Sequence, residues 1–402
     1  MKKFKKGFFM GLSKKYNLFN VNFFCIFGIN FAICLVFYMS TISCTDYVLG
    51  VLNLQTSTAG LIMGAFVIGA LLSRLYFGSI IDNINIKKVI VISLLVYLCV
   101  NLMYLKFYNI YFLILIRFLA GACYGVCSCA CGAAIARIIP SNKRGIGIGY
   151  YATSVVLTSA LGPFLAIKLD SINEFQLSFL IACASIVLAL ILSIFLKVRR
   201  FKKHHHHHHG KRKFSIYHYF EKSALGLALV TFIFACPFGA IIAYMSAYTQ
   251  SLNLSFAGSM FFVVYASFSM VFRPIAGKVF DQYGPNIIMF FSFCSFIVCL
   301  LLLAFAQNFL MIILAGIFCA LGYANAASSA QALAIKLAPK EKMGLANSTF
   351  FIALDFGIGV SPYLLGIIEP SIGFANVYAL CIVLVAIAMA LYYLLIVKKS
   401  TC

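Results

Sequence analysis

The chain has 402 residues, of which 63% are hydrophobic and 10% charged, and its mean hydropathy is +1.03. Soluble domains are roughly half apolar and about a quarter charged, so this composition excludes an ordinary soluble protein. The formal net charge of +22 alone would suit a nucleic-acid partner, but the placement of the basic residues, described below, excludes that interpretation.

Twelve apolar stretches follow one another, each close to the roughly 20 residues that a helix needs to cross a bilayer. Six form an N-terminal bundle within residues 1–196, and six form a C-terminal bundle within residues 223–402, with a basic linker at residues 197–222. The sequence therefore predicts an all-α membrane protein of twelve transmembrane helices. Their predicted limits are 18–42, 56–77, 88–106, 109–136, 146–167, 176–196, 223–246, 256–275, 287–305, 310–335, 345–366 and 374–396.

The basic residues lie almost entirely on one side of these spans. With the N-terminus inside, 28 of the 31 Lys and Arg residues fall in inner segments, Lys106 and Lys168 fall in outer loops, and Arg117 lies within a span. This asymmetry is typical of membrane proteins whose positive segments face the cytoplasm. We therefore expect a multi-pass protein of a bacterial-type plasma membrane, with both termini cytoplasmic and its basic charge facing anionic lipid, not nucleic acid.

The linker contains six consecutive histidines, His204–His209. A run of imidazoles binds transition metals, and six is equally the length of a purification tag, so both interpretations stay open. In span 4, Cys123, Cys127 and Cys131 recur on one helical face, where thiolates could bind a soft metal or small residues could line a helix contact. The sequence assigns no metal site and no cofactor to either group.

A polar motif after span 2 recurs after span 8. In the first copy Arg74 is followed by Gly78 and Asp82, and each has its counterpart 199 residues later, as Pro163 has in Pro362. A fixed offset over half a chain indicates one structural unit used twice. The residues predicted to form a cytoplasmic gate are Arg74, Gly78, Asp82, Lys87, Lys88, Arg273, Gly277, Asp281 and Gly284.

Together these features resemble the major facilitator superfamily. The residues that carry the resemblance are Gly78, Asp82, Lys87 and Lys88 of the loop 2–3 motif, Arg117, Gly121 and Gly125 of the span 4 motif, and the Gly162-Pro163 pair associated with antiporters. The C-terminal half is similar to bacterial exporters of drugs and of opine-type metallophores. The resemblance implies two pseudo-symmetric six-helix bundles that rock about a central cavity and expose it to each side in turn.

Within the predicted gate, Asp82 needs cations or helix N-termini to hold its charge at the membrane edge. Arg137 and Arg144 are the basic candidates, and the start of span 11 near Gly344 offers a helix dipole. Such a cluster would latch the two halves on the cytoplasmic side and release in the other state. The alternative is a solvated tight turn.

Two charged residues fall well inside predicted spans, Arg117 and Asp355, and neither has a charged counterpart 199 residues away. Ionisable residues within a membrane usually face a cavity or pathway. Asp355, roughly 15 Å into span 11, is predicted to couple protons or to bind a cationic substrate group. Arg117 is a second candidate, with outward snorkelling as its alternative. Asp46, at the outer end of span 1, is a third, unless it is an exposed loop carboxylate.

Polar residues inside the spans are predicted to line the central pathway or to hydrogen-bond a neighbouring helix. They are Asn30, Tyr124, Ser128, Tyr244, Asn325, Ser328, Gln331 and Asn347. Residues that interrupt or closely pack helices, and so permit bending, are Gly162, Pro163 and Pro362.

The sequence has no phosphate-binding loop of the form G-x-x-x-x-G-K-[ST] and no evident catalytic constellation, so neither direct ATP drive nor an enzyme is predicted. We expect a monomeric secondary transporter that exports a small organic solute (a drug, a metabolite or an opine-type metallophore) in exchange for protons. The expected partners are that solute, protons and the lipid bilayer. The alternatives are a proton-coupled importer on the same scaffold, a receptor that does not transport, and a membrane enzyme.

Overall fold

The computed structural model describes residues 20–80, 84–106, 109–139, 144–170, 174–197, 220–339 and 342–398. Within these ranges the regular structure is helical and contains no strand. Residues 1–19, Asp82 and the run His204–His209 lie outside the described residues.

Six long helices make up the described part of the N-terminal half. They are α1 (Val21–Asp46), α2 (Thr56–Ile80), α3 (Ile86–Leu102), α4 (Ile110–Ile138), α5 (Arg144–Asp170) and α6 (Phe175–Phe195). Asn20, Asn85 and Asn109 precede α1, α3 and α4, and the side-chain oxygen of each accepts a hydrogen bond from a backbone N–H in the first turn. Asparagine is favourable there because it satisfies an N–H without a partner inside the helix. These three helix starts are therefore encoded locally.

The C-terminal half repeats the arrangement. Its helices are α7 (Leu225–Ser251), α8 (Ser255–Tyr283), α9 (Pro285–Ala304), α10 (Phe309–Cys319), α11 (Asn325–Leu337) and α12 (Met343–Tyr392). A π-helical segment, Ala320–Ala324, joins α10 to α11, so the two helices form one span.

The last helix contains two spans. It is 50 residues long, about 75 Å at the rise of an α-helix, whereas the core of a bilayer is about 30 Å thick. Its helical backbone is interrupted at Gly373, where φ is 79° and ψ is 161°, a conformation that glycine adopts at little cost. The described chain has eleven continuous helical segments that could cross a membrane, and the last of them contains this break. The break divides that segment into two spans, which gives twelve. The prediction of twelve spans in an all-α protein is thereby confirmed.

The prolines predicted to bend helices lie inside continuous helices. Pro163 is within α5 and Pro362 is within the first part of α12, and each helix continues past its proline. A Cβ at Gly162 would lie 2.5 Å from the Cβ of Tyr38 in α1, so this glycine permits close packing of α5 on α1. Bending at these residues stays a prediction.

Buried apolar side chains form two clusters. One contains only residues between 23 and 196, and the other is built mainly from residues 227–392. Within the N-terminal half, α4 packs closely on α2 because Cβ atoms at Gly121 and Gly125 would overlap the α2 backbone. Small residues allow such close approach between membrane helices. The two glycines of the predicted span 4 motif therefore serve helix packing.

The helix ends define two faces of the molecule. The N–H of Lys197, after α6, donates to Asn22 Oδ1 at the start of α1 over 2.8 Å. The hydroxyl of Tyr392, at the end of α12, donates to Asn286 Oδ1 at the start of α9 over 2.9 Å. We call the face that carries these ends the terminal face. The other face, which carries the α1–α2 and α7–α8 connections, is the opposite face.

Candidate functional site

Polar side chains join the two halves at the opposite face. Ser246 of α7 donates to the carboxylate of Asp46 in α1, and Thr56 of α2 donates to the carboxylate of Glu369 in α12. The hydroxyl of Tyr244 lies 3.3 Å from the carbonyl oxygen of Thr56. Asp46, Thr56, Tyr244 and Ser246 are at most 6% exposed. The halves are therefore closed at this face.

Next to these bonds, α2 and α12 meet backbone to backbone. A Cβ at Gly60 would overlap the carbonyl group of Pro362, and a Cβ at Gly64 would lie 3.2 Å from the carbonyl oxygen of Gly359. The Pro362 carbonyl also accepts a hydrogen bond from the hydroxyl of Tyr244. Because a Cβ has no room at Gly60, this contact, which we call the α2–α12 seam, is made by backbone atoms. The seam completes the closure of the opposite face.

Closer to the terminal face, a charged pair joins the halves. Arg74 of α2 donates through Nη1 to the Asp355 carboxylate of α12, and the two side chains are 31% and 28% exposed. Arg74 also donates from Nε to Ser128 Oγ over 3.3 Å, and its guanidinium carbon lies 5.4 Å from the centroid of the Tyr124 ring. Polar side chains between the halves are thus buried near the opposite face and partly exposed near the Arg74–Asp355 pair. This contrast marks an opening between the halves toward the terminal face.

The second half contributes its own arginine to the opening. Arg273 stands 199 residues after Arg74 and interacts electrostatically with Tyr38 of α1 and Tyr265 of α8. Tyr38 also interacts with Asp355. Unlike Arg74, Arg273 makes no hydrogen bond or ion pair with any described residue, and its Nε is buried without a partner. Among the described residues, the opening therefore holds two guanidinium groups and one carboxylate.

Two further carboxylates are buried near the opposite face. Asp46 ends α1 and Asp170 ends α5, and they are 5% and 3% exposed. Asp170 accepts hydrogen bonds from Ser43 over 3.1 Å and from Ser178 over 3.4 Å, and it interacts electrostatically with Asp46. One oxygen atom of each carboxylate has no hydrogen-bond partner. Asp46 is thus a buried helical residue, and its interpretation as an exposed loop carboxylate is wrong.

The structure divides the predicted cavity residues into two groups. The partly exposed group is Tyr124, Ser128, Ser328, Gln331 and Asn347. In this group Gln331 Nε2 donates to Asn347 Oδ1 over 3.0 Å. The other three, Asn30, Tyr244 and Asn325, are at most 3% exposed. Neighbouring helices enclose them, so in this conformation they do not line the opening.

Arg117 lies inside the N-terminal half. It is 0% exposed, and it donates from Nη1 to Ser40 Oγ over 3.0 Å and from Nη2 to the Ser40 carbonyl oxygen. Its guanidinium carbon lies 5.6 Å from the centroid of the Phe66 ring and 5.9 Å from that of Tyr104. The side chain therefore stays inside its own half and does not snorkel outward. In this conformation it has no access to the opening.

The predicted gate is only partly described. Asp82 lies outside the described ranges, and the surroundings of Gly78 in α2, Arg144 in α5 and Gly344 in α12 are not described. Lys87 donates to the Ile194 carbonyl oxygen over 2.8 Å, within its own half. Gly284 turns the chain from α8 into α9 with a φ of 84°, which glycine adopts easily. The exposed members at the terminal face are Lys88, Gly277 and Asp281.

The end of the linker is anchored at the terminal face. The N–H of Glu221 donates to Thr349 Oγ1 over 3.0 Å, and its carboxylate lies 3.4 Å from Lys342 Nζ. Burial raises the pKa of Glu221, but the hydrogen bonds from Ser223 and the charge of Lys342 lower it by more than burial raises it. The pKa of Glu221 therefore lies below its usual range. A charged Glu221 therefore attaches the start of α7 to the start of α12.

The cysteines of α4 lie mostly in the core of the N-terminal half. Cys127 and Cys131 are 0% exposed and Cys123 is 9% exposed. Within the described ranges, no group of three or more His, Cys, Asp or Glu side chains is arranged to bind a metal ion. Helix packing accounts for this face of α4.

Sequence reasoning missed two relationships in this site. It assigned Arg74 to the gate and Asp355 to coupling, and no signal indicated that they are partners. It also missed Asp170 and Glu369, although a signal existed, because these acids too stand 199 residues apart, near the opposite-face ends of spans 5 and 11. The repeat therefore extends to the acids that flank the closure.

Comparison with known proteins identifies a family and several relatives. A family model described as the Major Facilitator Superfamily matches residues 22–307 and 227–401. The staphylopine export protein of Staphylococcus aureus is 24% identical over 367 residues, 87% of this chain and 89% of that protein. The multidrug resistance protein MdtG of Citrobacter koseri is 24% identical over 62% of this chain and 63% of that protein. A solved structure of a mutant nucleoside transporter NupG has a TM-score of 0.77 at 12% identity, covering 93% of this chain and 100% of that one, which shows a shared fold.

Proposed function

The chain belongs to the major facilitator superfamily, and from this premise we propose that it exports a small organic solute in exchange for protons. It is a multi-pass membrane protein of a transporter family. Export is supported by the names of two relatives, one an export protein and the other a multidrug resistance protein. The observation that carries the exchange with protons is the pair of Arg74 and Asp355, which joins the two halves at the opening.

In this proposal the terminal face is cytoplasmic. The positive-inside asymmetry of the sequence supports this orientation. The opening then faces the cytoplasm, and the closed opposite face is directed outward. This is the conformation in which an exporter accepts its substrate from the cell.

Arg74 and Asp355 belong to different halves, so pivoting one half on the other changes the distance between them. While the pair is formed, the guanidinium stabilises the charged carboxylate. When the pair separates inside a poorly hydrated interior, the carboxylate binds a proton or a cationic group in place of Arg74. A proton that Asp355 takes up from outside would therefore be released to the cytoplasm when Arg74 pairs with Asp355 again. In this motion the two halves, residues 1–196 and 223–402, rock as units about the linker.

Asp46 and Asp170 are proposed to retain a proton while the outer face is closed. Two buried carboxylates that interact with each other do not both stay charged without a cation. No described lysine or arginine forms an ion pair with either carboxylate, and Arg117 of the same half donates to Ser40. Opening the outer face would hydrate both acids and allow the proton to leave. Acid outside would therefore favour the closed outer face.

Transport by purified protein in lipid vesicles tests the proposal. The tracers are ethidium as a drug-like cation, N-benzoylglycine as a small organic acid and the nickel–histidine complex as a metal chelate. In vesicles with an acidic lumen, at least one tracer should accumulate severalfold above its level without a gradient, because protons leave as the tracer enters. A protonophore should abolish the accumulation.

Two variants distinguish coupling from leakage. Asp355→Asn should lose the accumulation driven by the gradient, whereas Glu174→Gln, which changes an exposed acid before α6, should retain it. Accumulation that is insensitive to the gradient would contradict the exchange. Accumulation that requires an alkaline lumen would indicate symport in place of export.

A further inference from the structure

The two guanidinium groups of the opening are not equivalent. Arg74 is bonded to Asp355 and Ser128, whereas Arg273 donates to no described residue. Its Nε has no access to water in the structure and no hydrogen-bond acceptor. A guanidinium carries five N–H donors in a rigid plane and keeps its charge at any physiological pH. Arg273 therefore brings to the opening a charge that no described residue compensates.

Position separates Arg273 from the basic residues that orient the protein. It lies inside α8, ten residues before the end of that helix at Tyr283. Lys278, one turn nearer the terminal face, is exposed, as an orienting cation should be. A partly buried cation inside a membrane-spanning helix is costly and usually marks a ligand pathway. The place of Arg273 thus indicates binding and not only membrane orientation.

Tyrosine side chains lie near this guanidinium. Tyr38 and Tyr265 interact with it electrostatically, and Tyr323 interacts with both of these tyrosines. Behind them Phe238 stacks on Tyr323, with ring centroids 3.6 Å apart and an interplanar angle of 12°. Tyr265, Tyr323 and Phe238 are at most 5% exposed, whereas Tyr38 is partly exposed. In this conformation the ring of Tyr38 can therefore offer an apolar face beside the charge of Arg273, which suits an apolar or planar body attached to a charged end.

The charges of the opening select the sign of that end. Asp355 is already paired with Arg74, so Arg273 leaves the described part of the opening with one uncompensated positive charge. An anion that reaches Arg273 neutralises this charge, whereas a cation is repelled unless it first displaces Arg74. Carboxylates match the planar fork of arginine with two parallel hydrogen bonds.

We propose that Arg273 binds a carboxylate of the transported solute, which is therefore an organic anion with an apolar or aromatic body. Tyr38 interacts with Arg273 and with Asp355, so an anion bound at Arg273 would lie near the coupling pair. The movement of the anion rests on the proposed export function. Its binding does not, because binding requires no proton gradient.

Equilibrium binding to the purified full-length chain in detergent tests the inference. The probes are two matched pairs, N-benzoylglycine with N-benzoylglycinamide and picolinate with picolinamide, whose members differ in the carboxylate alone. At least one acid should bind at least tenfold more tightly than its amide, as measured by calorimetry. Arg273→Gln should weaken the binding of that acid at least tenfold and change the binding of the amide less than twofold. Lys278→Gln, on the same helix, should leave both unchanged.

Several outcomes would overturn the assignment. The first is that the wild-type protein binds each acid and its amide with equal affinity, and the second is that it binds neither acid. The third is that Arg273→Gln binds the acid as tightly as the wild-type protein does. Should Arg273→Gln fail to fold, Arg273→Lys decides, because a lysine retains the charge but loses the fork and should weaken acid binding by a smaller factor. Binding of the acid without flux driven by a pH gradient would refute the proposed export and leave this inference intact.

Discussion

Arg74 and Asp355 are 281 residues apart in the sequence, and they form an ion pair between the two halves of the molecule. The exposure of the pair is intermediate between that of a surface salt bridge and that of a buried one, because roughly a third of each side chain is exposed. Its contribution to stability should therefore lie between the ~0–1 kcal/mol of exposed pairs and the ~3–5 kcal/mol lost when a buried pair is broken. Its importance for transport is expected to be greater than its importance for folding.

Asp355→Asn should reduce gradient-driven flux more than tenfold and lower Tm by only a few degrees. The double variant Arg74→Asp with Asp355→Arg should recover part of the flux that each single change removes, because it restores the attraction with reversed sign. Vesicle flux and thermal unfolding measure the two effects. Wild-type flux in Asp355→Asn would reduce the pair to a structural contact.

Raising the external pH should open the outer face. Under the proposed retention of one proton by Asp46 and Asp170 while the outer face is closed, the open fraction rises with pH, by at most tenfold per pH unit. Ile42 reports the change, since it lies in α1 but packs in the cluster of the C-terminal half and is 1% exposed. Labelling of Ile42→Cys by an impermeant maleimide, corrected for the parent protein, should increase between pH 5.5 and 8.5. With Asp46→Asn and Asp170→Asn added, labelling that still increases would exclude these acids.

Gly60→Val should hold the outer face open. The new side chain would collide with the backbone of α12 at Pro362 and separate the α2–α12 seam. Labelling of Ile42→Cys should rise severalfold, and flux should fall because the closed state becomes rare. Gly50→Val is the matched control, since a Cβ at Gly50 meets nothing within 4 Å. Equal labelling in both variants would show that the seam does not control closure.

Tyr244→Phe should weaken closure more gently. It removes the hydroxyl that contacts the Thr56 and Pro362 carbonyls, and hydrogen bonds between membrane helices average about 0.6 kcal/mol. The open-to-closed ratio, measured by the same labelling, should therefore rise about threefold. Tyr248→Phe is the control because the Tyr248 hydroxyl donates to Leu303, within one half. If both variants behaved alike, closure would not depend on the contact across the halves.

Arg117→Lys should destabilise the protein without changing its selectivity. A lysine has one nitrogen atom in place of the two that donate to Ser40, so we expect one bond to be lost. A bond from a charged donor contributes roughly 1.5–3 kcal/mol, which corresponds to a fall in Tm of several degrees. The KM for any transported tracer should stay within twofold. A changed KM at constant Tm would instead assign Arg117 to the pathway.

Features of the fold that depend on local sequence could be predicted, and contacts between the halves could not. The span lengths and the 199-residue offset are properties of the sequence, and they gave twelve spans in two related halves. Asp355 was singled out because a charge inside a span is costly, but its partner was not, since no sequence rule specifies how two bundles dock. The seam had a signal, because Gly60 and Gly64 form a G-x-x-x-G pattern typical of close helix contacts. Asp46 could not be placed, because its burial depends on α5 and α7.

At Gly60 and Gly64 the α2–α12 seam is made by backbone atoms, so the two bundles can part at these residues without displacing a side chain of either glycine position. In lipid there is also little hydrophobic force to resist the parting. The activation barrier for switching should accordingly be low. The equilibrium between the open and closed states of the outer face would then depend on a few polar bonds. A solute that binds one state about 1.4 kcal/mol more favourably than the other would shift this equilibrium tenfold.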